Sequence, residues 1–155
     1  MEYEKQYINE DILFHEITEQ LAIGRQAAFV VTGMSMWPFL CHGRDQVIVN
    51  KVDKNTLKKG DIILFRRQDG KYILHRITCI NGSKIQTTGD GNYYHDDWIE
   101  YMNIIAKVEK VIHNNKEINC QQFHWRFLSH LWMFLFPIRK VMFKTWFHLR
   151  PYIKH

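Results

Sequence analysis

Short apolar segments alternate with tight-turn signals between residues 28 and 114, and this pattern restricts the fold more than any other feature of the sequence. The run QVIVNKV (46–52) alternates apolar and polar residues as a half-buried strand does. The triplets QDG and NGS stand on either side of KYILHRITCI (71–80) and are typical of hairpin turns. Short strands joined by tight turns pair antiparallel, so we predict a mainly β, α+β fold built on an antiparallel sheet.

An amphipathic helix is predicted ahead of this β region. Leu13, Ile17 and Leu21 recur every four residues within 9–26, and Asn9 is a candidate cap for the first turn. We expect the apolar side of this helix to lie on the sheet.

The tail, residues 123–155, differs from the rest of the chain. Pro137 divides it into two predicted helices, about 122–136 and 138–149, both rich in aromatic residues and leucine. Residues 120–155 contain six Lys/Arg and no acidic residue. Two interpretations stay open: the helices cover the sheet, or they lie on an anionic membrane surface, where cations and aromatic rings are favourable together. No nucleic-acid partner is expected, because no recognised binding motif accompanies the basic residues.

The length of 155 residues predicts one compact domain, formed by an N-terminal helix (1–27), a β region (28–114) and a helical tail (115–155). Three widely spaced cysteines argue against a disulfide framework and favour a reducing compartment. Neither a secretory signal nor a long apolar span is visible, so we expect a cytoplasmic protein, with the inner membrane face as the place of any peripheral contact.

No cofactor and no metal are predicted. The nine histidines form no H-E-x-x-H motif, and no Cys/His pair has the spacing of zinc ligands. The sequence also contains neither a phosphate-binding loop nor a dinucleotide fingerprint.

Three separate segments carry residues that can do chemistry together: Ser35 in GMSMWP, His75 in YILHRI and Asp96 in GDGNYYHDD. Each has an ordinary explanation alone, as a serine in a bend, a core histidine and a solvated loop acid. Together they can form a relay in which the hydroxyl attacks a carbonyl, the imidazole carries its proton and the carboxylate holds the imidazole. Asp97 remains an alternative to Asp96.

The residues around the serine support this hypothesis. Gly33 allows a sharp bend or a close approach of the backbone, and a backbone N–H at the serine can face a developing oxyanion. We predict that Met34, Met36 and Trp37 line an apolar groove around the hydroxyl, with core packing as the alternative for all three.

Asp90, in GDGN, is predicted to be structural rather than catalytic. Its side chain can accept hydrogen bonds from nearby backbone amides and so fix the loop.

These motifs, in this order, resemble those of the S24/S26 serine peptidases, the superfamily of type I signal peptidases and self-cleaving repressors. GMSMWPFL is similar to the nucleophile motif, and DQVIVNKV…LKKGDIILF, YILHRI and TTGDGNYYHDD are similar to the motifs that follow it. The resemblance covers about 28–112. It implies a mostly antiparallel β fold around a shallow peptide groove, with Ser35 as the nucleophile.

The general-base position distinguishes two branches of that superfamily. Bacterial type I enzymes and the repressors have lysine there, whereas this sequence has His75, as in the endoplasmic-reticulum, archaeal and SipW-like signal peptidases. In that branch the catalytic aspartate falls seven residues after the glycine of the GD motif, which corresponds to Asp96 counted from Gly89.

The resemblance implies a serine endopeptidase that cuts an extended peptide, such as a leader or signal segment, within a peptide or protein substrate. Signal peptidases usually carry a membrane-spanning anchor before the serine motif, and the repressors carry a helix-turn-helix domain. The segment before Ser35 predicts neither, so we expect a compact stand-alone member. The alternative is a catalytically idle peptide-binding or membrane-associated adaptor on the same fold.

Overall fold

A computed structural model describes residues 9–153, with side chains for 9–149. Residues 1–8 of the predicted N-terminal element and 154–155 of the tail lie outside the described residues. In chain order the α-helices and strands are α1 (Glu10–Ala22), β1 (Ala27–Val30), β2 (Gln46–Lys51), β3 (Ile62–Arg66), β4 (Tyr72–Asn81), β5 (Lys84–Thr88), β6 (Ile99–Glu100), β7 (Ile104–His113), β8 (Lys116–Asn119), α2 (Phe123–Phe134) and α3 (Arg139–Ile153).

The strands form one curled antiparallel sheet with the order β1-β2-β7-β3-β4-β5-β6, and β8 pairs with β7. The predicted α+β fold with an antiparallel sheet and helices at both ends is confirmed. The sequence does not predict strands β6 and β8, because β6 has only two residues and β8 (KEIN) contains a single apolar residue, so neither displays an alternating pattern.

The N-terminal helix lies on the sheet as its apolar spacing predicts. Ile17 and Leu21 of α1 are buried in the larger core cluster, with the strand residues Val47, Val49 and Val108. Burying side chains of this size stabilises a fold by about 1.5–3 kcal/mol each.

A buried ion pair joins the sheet to the loop after β5 and to α2. Arg76 lies on β4 and is fully buried. Its guanidinium donates to both carboxylate oxygens of Asp90, at 2.8 and 2.6 Å, and also to the Gly60 carbonyl and the Ser129 hydroxyl, both at 2.9 Å. Because Asp90, Gly60 and Ser129 lie in three different segments, Arg76 holds these segments and its own strand together.

The inner side of α2 packs against the core and against loops beside the sheet. Trp125 packs edge-on against Phe39 with ring centroids 5.4 Å apart, and the Trp132 indole N–H donates to the Asp90 carbonyl at 2.9 Å. Pro137 lies in the single 3₁₀ turn that separates α2 from α3, at the predicted break.

The outer side of α2 stays exposed. The apolar residues on it recur at helical spacing and have exposed fractions between 44% and 84%: Phe123, Phe127, Leu131 and Phe134. We call these four residues the outer stripe. Between residues 9 and 153, no helix combines the length and the apolar character needed to cross a bilayer.

We expect Asp90→Asn to lower the free energy of unfolding by about 3–5 kcal/mol, because it leaves the buried charge of Arg76 without a counter-charge. Urea denaturation followed by circular dichroism measures this change. The matched control is Asp69→Asn, which removes the partner of Arg67 at an exposed ion pair and should barely move the midpoint. Equal midpoints for the two variants would contradict the structural role of the buried pair.

Candidate active site

The predicted nucleophile lies in a tight bend between β1 and β2. Gly33 has a φ of +80°, a conformation that favours glycine, and its N–H donates to Nδ1 of His42 at 2.9 Å. Met36 and Leu40 are buried and anchor the bend in the core. Ser35, which precedes Met36, is half-buried. The local sequence therefore forms a rigid turn with a small hydroxyl near its surface.

The structure brings His75 and Asp96 into contact. Nδ1 of His75 donates to Oδ2 of Asp96 across 2.5 Å, and His75 is buried. Asp96 is held in place by Thr87, whose hydroxyl donates to the same oxygen at 2.6 Å and whose carbonyl accepts the Asp96 N–H at 2.9 Å. Asp97, the alternative, is exposed. Thr87 was missed in the sequence, because a threonine in a strand gives no sign of the side chain it will contact.

The surroundings of Asp96 favour its ionised form. Burial, the largest single influence, disfavours the charge, but the hydrogen bond and charge of His75 together with the Thr87 hydroxyl outweigh it and hold the pKa below the ordinary 3.8. The ionised carboxylate of Asp96 accepts a hydrogen bond from the N–H at Nδ1 of His75. In the neutral imidazole the other nitrogen, Nε2, is then a hydrogen-bond acceptor. This is the tautomer that a general base requires.

The GDGN loop (89–92) lies directly on the serine bend. The N–H of Gly91 donates to the Ser35 carbonyl at 2.8 Å. A Cβ at Gly89 would lie 2.5 Å from that carbonyl oxygen and 2.9 Å from Nε2 of His75, and a Cβ at Gly91 would lie 2.7 Å from the Met34 carbonyl oxygen. Only glycine permits this approach, and Nε2 of His75 and the backbone of Ser35 therefore border the same small volume.

The predicted groove around the serine is divided into two depressions. One, of about 420 Å³, is lined by Gly33, Ser35 and Met36 together with residues of α1, β1, β3 and β4. The other, of about 270 Å³, is lined by Met34 and Trp37 together with Gly91 and residues of α3.

The three predicted groove residues differ in exposure. Met34 is 61% exposed and Trp37 is half-buried, so both present surface to a depression. Met36 is only 2% exposed and belongs to the core cluster, and it also lines the larger depression, so it has features of both interpretations.

The partner of Asp90 differs from the one expected. We expected backbone amides of its own loop, whereas both carboxylate oxygens accept from the guanidinium of Arg76. The sequence does not reveal this pair, because Arg76 follows His75 on an alternating strand and nothing in the spacing marks it as buried.

Arg139 belongs to the basic tail, where an exposed side chain is expected, but it points into the protein. It is buried, its Nη2 donates to the Trp132 carbonyl at 2.7 Å, and its Nη1 donates to the Asn92 carbonyl at 3.4 Å. Burial lowers the pKa of its guanidinium to about 10. Arg139 therefore fastens the start of α3 to the GDGN loop.

In the described part of the chain, no group of three His, Cys, Asp or Glu side chains is arranged to hold a metal ion. The arrangement around Ser35 instead combines a hydroxyl in a rigid bend, an imidazole with an oriented tautomer and an adjoining apolar surface.

Comparison with known proteins gives one family. The sequence model of a family described as signal peptidase, peptidase S26, matches residues 21–130. The match includes the serine bend, β4 and the loop that carries Asp96, and it ends within α2. No curated protein matches the chain.

We expect Thr87→Val to raise the pKa of Asp96, because it removes a hydrogen bond that only the ionised carboxylate accepts fully. The ¹³C chemical shift of the Asp96 carboxyl, followed through an acid titration, measures this pKa. The control is Thr88→Val, because the Thr88 hydroxyl forms a hydrogen bond with His95 rather than with Asp96. Equal effects of the two substitutions would show that the Thr87 hydroxyl does not stabilise the charge.

Proposed function

The chain belongs to the peptidase S26 family, and from this premise we propose that it is a serine endopeptidase with Ser35 as nucleophile, His75 as general base and Asp96 as the residue that orients His75. At the level of the family, the chain is a signal-peptidase-like serine peptidase, a class whose substrates are peptides or proteins. The observation that carries the residue assignment is the hydrogen bond of 2.5 Å between His75 Nδ1 and Asp96 Oδ2.

The proposed reaction has two steps. Oγ of Ser35 attacks the carbonyl carbon of the cleaved bond while Nε2 of His75 takes the hydroxyl proton, and the C–N bond then breaks as His75 returns that proton to the leaving amine. Water, deprotonated by His75, next attacks the ester carbonyl; the bond to Oγ of Ser35 then breaks as His75 returns the proton to Oγ, and the new carboxyl end is released. Ionised Asp96 stabilises the imidazolium formed in each step, and the backbone N–H of Ser35 is the proposed donor to the oxyanion.

The setting of the larger depression supports an extended peptide as substrate. Strand β1 is an edge strand of the sheet, and its residue Phe29 lines the depression beside Ser35 together with Val31, which follows the strand. An extended peptide can add its own strand to such an edge, where main-chain hydrogen bonds supply affinity and side-chain pockets supply specificity. A leader or signal segment is the substrate that we propose.

Peripheral membrane contact is part of the proposal, at the inner membrane face of a cytoplasmic protein. The outer stripe of α2 exposes a row of aromatic and aliphatic side chains, and Lys140 and Lys144 on α3 are also exposed. Because residues 120–155 contain no acidic side chain to repel lipid phosphates, this surface fits an anionic bilayer.

We expect Ser35→Ala and His75→Ala each to lower cleavage of a proteome-derived peptide mixture by at least about 10⁴-fold, because each removes a group that moves the proton. Mass spectrometry of the products measures cleavage, and circular dichroism checks the fold. Ser83→Ala and His124→Ala, at exposed positions, are the matched controls and should retain full activity. Turnover retained by the Ser35 or His75 variant would refute the assignment.

A serine-reactive phosphonate separates this proposal from an idle adaptor on the same fold. The wild-type protein should be labelled at Ser35, and the His75→Ala variant should not. An unlabelled wild-type protein would favour the adaptor.

We expect the full-length protein to co-sediment with vesicles containing phosphatidylglycerol more than with neutral phosphatidylcholine vesicles. The double substitution Phe123→Ser and Phe127→Ser should weaken this binding about tenfold or more, since burying each ring contributes about 1.5–3 kcal/mol. Met102→Ser, which removes an exposed apolar residue elsewhere, is the control. Equal sedimentation of the double variant and the wild type would remove the outer stripe from the proposal.

A further inference from the structure

We propose that the depression between the serine bend and α3 binds a large apolar side chain of the substrate close to the cleaved bond, so that α3 takes part in choosing the cleavage site. This inference rests on the proposed function. The depression has a volume of about 270 Å³ and is lined by Met34, Trp37, Gly91, Phe143, Trp146 and Phe147. We call it the α3 pocket.

The α3 pocket adjoins the proposed nucleophile. Met34 directly precedes Ser35, and Trp37 follows it by two residues in the same bend. The larger depression opens from the same bend on the side of β1 and β4. An extended chain advances about 3.3 Å per residue, so a peptide that crosses Ser35 places neighbouring side chains in both depressions.

The chemistry of the α3 pocket selects apolar groups. Apart from Gly91, its lining consists of aromatic and methionine side chains, without a charged residue. Trp37 packs against Phe143 and Trp146 with ring centroids 6.0 and 6.2 Å apart. A charged substrate side chain would lose its hydration here without gaining a partner, whereas a leucine or phenylalanine side chain would be buried favourably.

The pocket is recessed and has a fixed back wall. Phe143 is 7% exposed and forms the back, while Trp146 and Phe147, 44% and 61% exposed, form an open rim. The outer stripe, in contrast, is a helix surface without such a wall. A recessed, walled pocket of this size suits one side chain better than the flat surface of a bilayer.

The position of α3 is coupled to the serine bend. Arg139, the first residue of α3, donates to the carbonyl of Asn92, and Gly91 of the same loop donates to the Ser35 carbonyl. The pocket therefore keeps a defined position relative to the nucleophile. The family match ends at residue 130, so α3 lies outside the matched segment.

The test compares cleavage preferences in a proteome-derived peptide mixture digested by the full-length wild type, Trp146→Ala, Phe147→Ala and the double variant. The wild type should show enrichment of large apolar residues at one fixed position next to the cleaved bond. The double variant should lose that enrichment and cut a matched peptide about tenfold less efficiently in kcat/KM, with preferences at other positions unchanged. Because both side chains are at the rim, circular dichroism should show an intact fold, and either single variant serves if the double one does not fold.

Val141→Ala, an exposed apolar position of α3 that does not line the pocket, should behave as the wild type. The same preference in the double variant as in the wild type would overturn this inference alone. Unchanged preference together with weaker binding to phosphatidylglycerol vesicles would overturn it in favour of a lipid contact. No cleavage by the wild type would overturn the proposed function and this inference with it.

Discussion

The buried charge of Arg76 is the constraint on which the rest of the structure depends. A guanidinium without water needs an opposite charge and acceptors for its donors, and Asp90, Gly60 and Ser129 supply them. The pair thereby fixes the GDGN loop, and this loop lies on the backbone of Ser35. An interaction that touches no reacting group thus determines where the proposed nucleophile lies.

Two consecutive residues of strand β4 belong to different parts of the structure: His75 to the candidate site and Arg76 to the buried ion pair. His75 and Arg76 face opposite sides of the strand, and each pairs with a carboxylate from the segment after β5, Asp96 and Asp90 respectively. The hydrogen bonds of Arg76 on one side of β4 therefore help to hold His75 and Asp96 in position on the other side. The α3 helix adds to this arrangement through Arg139, which connects the tail to the same loop.

The sequence was sufficient for the fold class, the longer strands and the helices, but not for the strand order, and only partly for the candidate site. Alternation and turn signals predict the long strands, and periodicity predicts the helices, because both patterns report burial directly. The division of the groove into two depressions could not be foreseen, since it depends on how α3 docks against Trp37. The burial of Arg76 was equally hidden, because a basic residue on a strand is usually solvated.

The contact between the GDGN loop and the serine bend uses main-chain atoms and two glycines, Gly89 and Gly91, rather than side chains. Neighbouring side chains such as Met34 and Trp37 are consequently free to change without displacing the hydroxyl. A lineage could in this way acquire a new recognition profile by substitution around an unaltered reactive centre. Peptide choice and bond-breaking chemistry would then evolve as separate traits within one small protein.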